Sequence, residues 1–126
     1  MTVIGSAYLV LIALLVGSFI NLAADRLPRG ESVVRPRSHC RACDRTLNAV
    51  DLIPVAGYVL RRGRCATCGT AIGASALAIE LLSGLSMLVP LSVLGLMPGV
   101  VVGVGLTGAV GLAAVGASYA RVRRTV

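Results

Sequence analysis

Two Cys-x-x-Cys pairs, CRAC at residues 40–43 and CATC at residues 65–68, lie in an arginine-rich segment between long apolar stretches. Pairs separated by about twenty residues have the spacing of a four-thiolate zinc site. Four thiolates in a tetrahedral set suit zinc and close its coordination shell. The spacing therefore predicts a structural zinc ion bound by Cys40, Cys43, Cys65 and Cys68. His39 precedes the first cysteine, but we expect it not to be a ligand because the shell is already complete.

Three apolar stretches accompany this segment, and each is long enough to span a bilayer, which requires about twenty residues. The stretches are apolar on all sides, whereas a surface helix of a soluble domain keeps a polar face. The sequence predicts an all-α membrane protein with three transmembrane helices and a small zinc-ribbon-like loop. The expected segments are helices at 1–24, 74–96 and 97–120, the loop at 25–73, a short turn at Met97-Pro98 and a basic tail at 121–126.

The charge distribution predicts the orientation of the chain. All twelve basic residues are arginines; nine lie between Arg26 and Arg64, and three lie near the C-terminus. The positive-inside rule places the loop and the C-terminus in the cytoplasm and the N-terminus outside. Because membrane orientation explains the charge and no aromatic platform accompanies it, we expect no nucleic-acid partner. No basic residue precedes the first apolar stretch, so we expect a retained helix rather than a cleaved signal peptide.

The chemistry of the cysteines depends on the compartment. Cytoplasmic thiols stay reduced, which favours metal over disulfides; disulfides would require the opposite orientation. A loop of about fifty residues with few large apolar side chains needs a metal cross-link to hold a fold. We expect four arginines to lie around the thiols and to lower their pKa: Arg41, Arg45, Arg62 and Arg64. The apolar run 51–55 (DLIPV) has two interpretations: it is the small core of the loop, or it is a patch that docks onto the membrane or a partner.

An ordered set of motifs resembles the bacterial prepilin peptidases, the type IV leader peptidase and N-methyltransferase family. The motifs are Gly17-Ser18-Phe19-Ile20-Asn21, the run 26–32 (RLPRGES), the run 35–43 (RPRSHCRAC), Asp51-Leu52-Ile53-Pro54, the run 62–69 (RGRCATCG) and Glu80-Leu81-Leu82. The resemblance covers roughly residues 17 to 84. It implies a protein of the bacterial inner membrane that works on prepilin or pseudopilin leaders, in contact with lipid.

The resemblance also implies aspartyl chemistry, with two membrane-embedded aspartates that share a proton. In the family, one of these aspartates lies in a Gly-x-Gly-Asp motif. This sequence departs from that pattern, because no Asp or Glu follows Glu80. Gly103-Val104-Gly105 is followed by Leu106, where the motif would need its aspartate. We therefore expect the chain alone not to be a competent protease, and we assign no catalytic residue. The first hypothesis is a recognition or scaffold subunit beside a separate aspartyl-peptidase subunit. The alternatives are an N-methyltransferase of the same family and a membrane zinc protein that regulates pilus or secretion assembly.

Three polar residues near the predicted inner membrane face are functional candidates: Asn21, Arg26 and Glu80. An acidic side chain inside a membrane helix is a functional candidate by default. For Glu80 the alternative is an ion pair with a loop arginine such as Arg26 or Arg64. For Asn21 the alternative is an interhelical hydrogen bond or helix termination. Gly99 and Gly103 have the spacing of close helix packing.

Overall fold

The computed structural model describes residues 3–125, and three long helices dominate it. Helix α1 spans Val3–Arg26, α3 spans Ser75–Leu94 and α4 spans Leu96–Thr125. All three are long and apolar enough to cross a membrane. A single 3₁₀ turn, Leu27–Arg29, extends α1, and a short helix α2, Ala56–Leu60, lies in the intervening loop. The predicted fold class, an all-α membrane protein with three spanning helices and a four-cysteine loop, is confirmed.

The helix ends differ in detail from the predicted segments. The chain reverses between α3 and α4 at Gly95, whose φ of 82° lies in the left-handed region that glycine adopts without strain. The expected turn at Met97-Pro98 is wrong, because both residues lie in the first turn of α4. A proline is tolerated there, since the first amides of a helix have no intrahelical partner. At the other end α4 continues through the basic tail to Thr125.

Small residues let the three helices approach closely. A Cβ on Gly17 of α1 would lie 2.7 Å from the Ser83 Oγ and 3.0 Å from the Glu80 Cα of α3. A Cβ on Gly99 of α4 would lie 2.8 Å from the Leu91 Cα. The predicted packing role of Gly99 and Gly103 is confirmed, because both are buried against α3. Close backbone contact through small residues is the usual way for helices to associate in lipid.

The helices form an up-down-up bundle around a small core. Ala13, Met87 and Leu91 are its buried centre. Helix α1 and helix α4 run in the same direction, because Ile20 of α1 lies beside Gly111 and the Tyr119 hydroxyl donates to the Leu27 carbonyl at 3.2 Å. The C-terminal ends of α1 and α4 and the N-terminal end of α3 therefore share one end of the bundle, and the cysteine loop lies there. The outward faces are apolar, as a lipid environment requires.

Between the helices, no strand longer than an isolated bridge occurs in residues 3–125. The two bridges pair His39 with Thr46 and Arg64 with Ala71, one beside each Cys-x-x-Cys pair. The loop thus consists of two tight hairpin turns with α2 between them.

Candidate metal centre

The first Cys-x-x-Cys pair, at residues 38–47, forms a turn that is closed by backbone hydrogen bonds. The Cys40 N–H donates to the Arg45 carbonyl at 2.9 Å, and the Asp44 N–H donates to the Cys40 carbonyl at 2.8 Å. The Leu47 N–H donates to the Ser38 carbonyl at 2.8 Å, which closes the base of the turn. These bonds turn the chain so that the two cysteine side chains project to the same side.

The second pair, at residues 63–72, repeats this turn twenty-five positions later. The Cys65 N–H donates to the Thr70 carbonyl at 2.9 Å, and the Gly69 N–H donates to the Cys65 carbonyl at 3.1 Å. Gly69 has a φ of 69°, as its sequence position predicts. Asp44 occupies the equivalent place in the first turn with a φ of 54°, which aspartate tolerates better than most residues. The loop therefore contains two copies of one turn, facing each other.

The two turns bring the four cysteine sulfurs together. The Cys40 and Cys68 sulfurs lie 3.7 Å apart, and the Cys43 and Cys65 sulfurs lie 3.9 Å apart. All four sulfurs lie within 4.8 Å of one another, and none is in a disulfide. A tetrahedron with metal–sulfur bonds of about 2.3 Å has sulfur–sulfur edges of about 3.8 Å. The four cysteines therefore fit a tetrahedral metal ion, and His39 is outside the set; its Nδ1 lies 2.9 Å from the Arg37 carbonyl.

The sulfurs differ in acidity when no metal compensates their charge. Backbone N–H groups of Cys68 and Thr67 lower the pKa of Cys65 to about 6. For Cys43 the Arg45 N–H acts in the same direction, but burial and the three neighbouring cysteine sulfurs outweigh it and raise its pKa to about 11. Four crowded thiolates repel one another, so a cation is required before all four can ionise together.

The expected ring of arginines around the thiolates is only partly present. Arg45 is beside Cys65, which raises the Arg45 pKa after the larger effect of Asp51. Arg41 instead forms ion pairs near the end of α1. Its Nη2 lies 2.7 Å from the Asp25 carboxylate and 2.9 Å from the Glu31 carboxylate. The pKa values of Cys65 and Cys68 are lowered chiefly by backbone N–H groups and the Thr70 hydroxyl, and no arginine side chain is among the leading causes. Arg41 fastens the first turn to the end of α1.

Asp51 is a buried charge of the loop, and its place in the sequence predicts no such role. Its carboxylate lies 2.6 Å from Arg45 and 2.7 Å from Arg61, and only 6% of its side chain is exposed. The Asn48 N–H donates to it at 3.1 Å, while its own N–H donates to the Asn48 side-chain oxygen at 3.0 Å. Burial opposes ionisation, but these donors prevail and lower the pKa of Asp51. The one signal in the sequence was the Asn-x-x-Asp spacing, which suits reciprocal capping of a turn.

Glu80 has a different partner from the one expected. It is buried in α3, and its Oε2 accepts a hydrogen bond of 2.6 Å from the Val55 N–H. The predicted ion pair with Arg26 or Arg64 is wrong. Val55 has a φ of 61°, an uncommon conformation for a β-branched residue, at the start of α2. Glu80 therefore joins the cysteine loop to the membrane bundle at a strained backbone position.

The other two polar candidates lie near Glu80. Arg26 is 3% exposed, and its guanidinium donates to the Ser32 carbonyl at 2.8 Å and the Arg37 carbonyl at 3.4 Å. Asn21, Arg26 and Glu80 all line a cavity of about 610 Å³ between the bundle and the cysteine loop. Cys40, Cys65 and Asp51 line the same cavity from the loop side. The structure thus places the three candidates around one space next to the metal centre.

The run 51–55 is not an apolar core. Leu52 and Ile53 leave 42% and 47% of their surface exposed, whereas Pro54 is buried. The interior positions in this run are those of Pro54 and the Asp51 carboxylate. Of the two interpretations of the run, the core is therefore wrong for Leu52 and Ile53.

Comparison with known proteins identifies similar sequences over the same region. The sequence model of the family described as "Bacterial Peptidase A24 N-terminal domain" matches residues 11–93. A prepilin leader peptidase/N-methyltransferase of Myxococcus xanthus is 39% identical over 80 residues, which cover 64% of this chain and 24% of the relative. The corresponding protein of Bacillus subtilis is 37% identical over 75 residues, covering 60% of this chain and 30% of the relative.

A third relative carries a different description. The type 4 prepilin-like proteins leader peptide-processing enzyme of Escherichia coli O78:H11 is 32% identical over 93 residues, covering 60% of this chain and 35% of the relative. The chain therefore spans about a third or less of the length of these three relatives. No solved structure matches it.

Proposed function

The chain belongs to the bacterial peptidase A24 N-terminal domain family, and from this we propose that it is the recognition or scaffold part of a prepilin-processing system. The observation that carries the proposal is the match over residues 11–93, which covers the cysteine loop and its two flanking helices. Involvement in prepilin processing follows from the family. The finer assignment, to substrate recognition rather than cleavage, rests on the surroundings of the carboxylates in this chain.

None of the carboxylates in this sequence is suited to aspartyl chemistry. That chemistry requires two close carboxyl groups, of which one holds a proton. Arginines pair with Asp25, Glu31 and Asp51, and the pKa values of Glu31 and Asp51 are lowered. The lowering at Glu31 comes first from its hydrogen bond with Arg41. Glu80 accepts from a backbone amide, Asp44 shapes a turn, and no acid follows Glu80. Under this proposal another segment or another chain supplies the cutting carboxylates.

The proposal includes zinc as the metal of the four-cysteine centre. An all-thiolate tetrahedral set favours zinc among common cellular metals, and its closed shell assigns the ion a structural role. When bound, the ion cross-links the two turns and neutralises thiolate charge. Zinc near one equivalent per chain in the purified protein is the expected result. Iron, or disulfides with no metal, would contradict it.

Orientation in the bacterial cytoplasmic membrane completes the proposal. The cysteine loop and the end of α4 lie at the same end of the bundle, and all twelve arginines are at or beyond that end. The positive-inside rule then favours a cytoplasmic loop and C-terminus. A C-terminal alkaline phosphatase fusion should be inactive and a cytoplasmic reporter at the same place active. The reverse pattern would overturn this orientation.

Co-expression with a prepilin and a candidate aspartyl-peptidase segment tests the central assignment. We expect leader removal only when both the chain and the aspartyl segment are present, and its loss when the chain carries Cys65→Ser. Leader removal by the purified chain alone, or equal removal without it, would overturn the scaffold assignment. Transfer of a labelled methyl group to a processed pilin, lost in Glu80→Gln, would favour the methyltransferase alternative.

A further inference from the structure

The α2 region of the cysteine loop exposes large apolar side chains. Val59 and Leu60, at the end of α2, leave 61% and 66% of their surface uncovered. Leu52 and Ile53, just before α2, are also about half exposed. We call residues 52–62 the α2 segment. In a loop that faced only water, four such side chains within nine residues would form a costly apolar surface.

The depth of the α2 segment follows from its contact with α3. The Val55 N–H is 2.6 Å from the Glu80 carboxylate, and Glu80 is the sixth residue of α3. At about 1.5 Å per residue, the Glu80 backbone lies roughly 7–8 Å inside the start of that helix. Its Cα is also beside Gly17, which is nine residues before the last residue of α1. The Glu80 side chain tilts back towards the start of α3, so the start of α2 is held against the first two turns of that helix, at the end of the bundle.

The charges next to α2 mark the level of the membrane surface. Arg61, Arg62 and Arg64 follow Leu60 directly, and Arg62 and Arg64 are exposed. Asp25, Arg29 and Arg121 line a second cavity at the same end of the bundle, together with Ser75 at the start of α3. Arginines near a membrane surface extend towards lipid phosphates, while neighbouring apolar side chains enter the acyl region.

From these observations we propose that the α2 segment is an interfacial membrane anchor. Val59 and Leu60 enter the boundary between headgroups and acyl chains, and Arg62 and Arg64 remain at the phosphates. Interfacial helices bury their apolar face about 5–10 Å deep, a depth that a segment attached to the first two turns of α3 can reach. Continuity supports lipid as the occupant, because Leu81 and Leu82 on the adjacent turn of α3 are exposed on the same membrane-spanning bundle. The anchor holds the metal centre at a fixed height against the membrane.

Tryptophan fluorescence tests the proposal, because the chain has no tryptophan of its own. The full chain carrying Leu60→Trp is reconstituted in phosphatidylcholine–phosphatidylglycerol vesicles, with bromine on the upper acyl carbons in one preparation. We expect a blue-shifted emission and a clear loss of intensity in the brominated vesicles. Val59→Trp, measured in parallel, guards against a local folding defect at one position.

Two variants serve as matched controls. Val34→Trp replaces another loop residue, which is 77% exposed and far from α2 in sequence, and it should emit as in water without quenching. Leu85→Trp, on the exposed face of α3, should be quenched. Water-like, unquenched emission from both α2 variants in vesicles that quench Leu85→Trp would overturn the proposal. A blue shift that appears only after a prepilin is added would also overturn it, by assigning the surface to a protein partner. No arm depends on leader cleavage, so failure here leaves the proposed function standing.

Discussion

At the scale of single residues, Asp51 carries the electrostatic organisation of the cysteine loop. It is almost fully buried, and it pairs with Arg45 from the first turn and with Arg61 from the end of α2. Arg45 is in turn beside Cys65 in the second turn. One carboxylate thus connects α2 and both cysteine turns.

We predict that Asp51→Asn loosens the loop while the bundle stays intact. The amide cannot balance two arginines, and a buried donor without its partner costs about 1–3 kcal/mol. Amide hydrogen exchange of residues 45–65 should accelerate by an order of magnitude or more, with no change in α3 and α4. Asp44→Asn is the matched control: Asp44 is exposed in a left-handed turn that asparagine adopts readily. Equal effects of the two variants would show that the ion pairs of Asp51 are unimportant.

The same residue predicts how the loop responds to acid. Because the folded state lowers the pKa of Asp51, its contribution to stability is complete above the ordinary carboxyl range and is lost as the pH falls through the lowered value. Acid also protonates the cysteine ligands and releases the metal, so the two proteins are compared only at pH values at which both keep the metal. The excess of exchange protection around Asn48 in the unchanged chain over Asp51→Asn should stay constant from neutral to mildly acidic pH and shrink only as the pH falls further. An excess that already shrinks near neutral pH would assign the effect to another group.

Glu80 holds the cysteine loop by accepting a hydrogen bond rather than by forming an ion pair. It accepts from the Val55 N–H, so Glu80→Gln keeps an acceptor while Glu80→Ala leaves a buried N–H without one. An unsatisfied buried donor costs about 1–3 kcal/mol. We predict faster hydrogen exchange across Val55–Leu60 in Glu80→Ala and nearly unchanged exchange in Glu80→Gln. Equal acceleration in both variants would show that the negative charge, and not the acceptor, holds the segment.

At the scale of helices, the α3–α4 contact depends on glycines that leave no room for a side-chain methyl group between the two backbones. A Cβ on Gly99 would lie 2.8 Å from the Leu91 Cα and from the Pro90 carbonyl oxygen, which are backbone atoms and cannot rotate away. A Cβ on Gly105 would meet nothing within 4 Å. The two positions lie on the same helix and differ in what surrounds them.

We therefore predict that Gly99→Ala destabilises the bundle and Gly105→Ala does not. Overpacking of a tight contact costs about 1–3 kcal/mol. In detergent micelles the thermal midpoint of Gly99→Ala should fall, and that of Gly105→Ala should stay at or above that of the unchanged protein. Equal midpoints for all three proteins would mean that α4 can shift away from α3 without loss.

The helices could be predicted from the sequence because each property that defines them is local. Length and hydropathy predicted the three spans, and the positive φ of Gly69 followed from its place after the second cysteine pair.

The contacts that attach the loop to the bundle could not be predicted in this way. Arg41 and Asp25 are 16 positions apart, and Val55 and Glu80 are 25 apart. Nothing near either residue specifies its partner; only the folded path of the chain brings them together. The four-cysteine set was predictable although Cys40 and Cys68 are 28 positions apart, because paired Cys-x-x-Cys spacing is typical of a metal site. The Asn-x-x-Asp spacing, by contrast, does not indicate that Asp51 pairs with two arginines.

At the scale of the whole molecule, two units with different sources of stability meet at one end of the bundle. The helices are stabilised by close packing against one another, and we expect them to need no metal. The loop has almost no apolar core. Its most regular structure is the two hydrogen-bonded backbone turns that carry the cysteines. Arg41, Arg26 and Glu80 attach the loop to the bundle through side chains.

Metal removal should consequently unfold the loop and spare the membrane helices. When a metal closes a site formed by two small turns, its binding free energy is also folding free energy for those turns. After treatment with a strong chelator, we predict fast hydrogen exchange throughout residues 38–73 and easy alkylation of all four cysteines, with α1, α3 and α4 still protected. The Cys65→Ser variant should show the same pattern before any chelator is added. Loss of protection in α3 and α4 would mean that the bundle depends on the loop, and unchanged protection in the loop would mean that the two turns fold without metal.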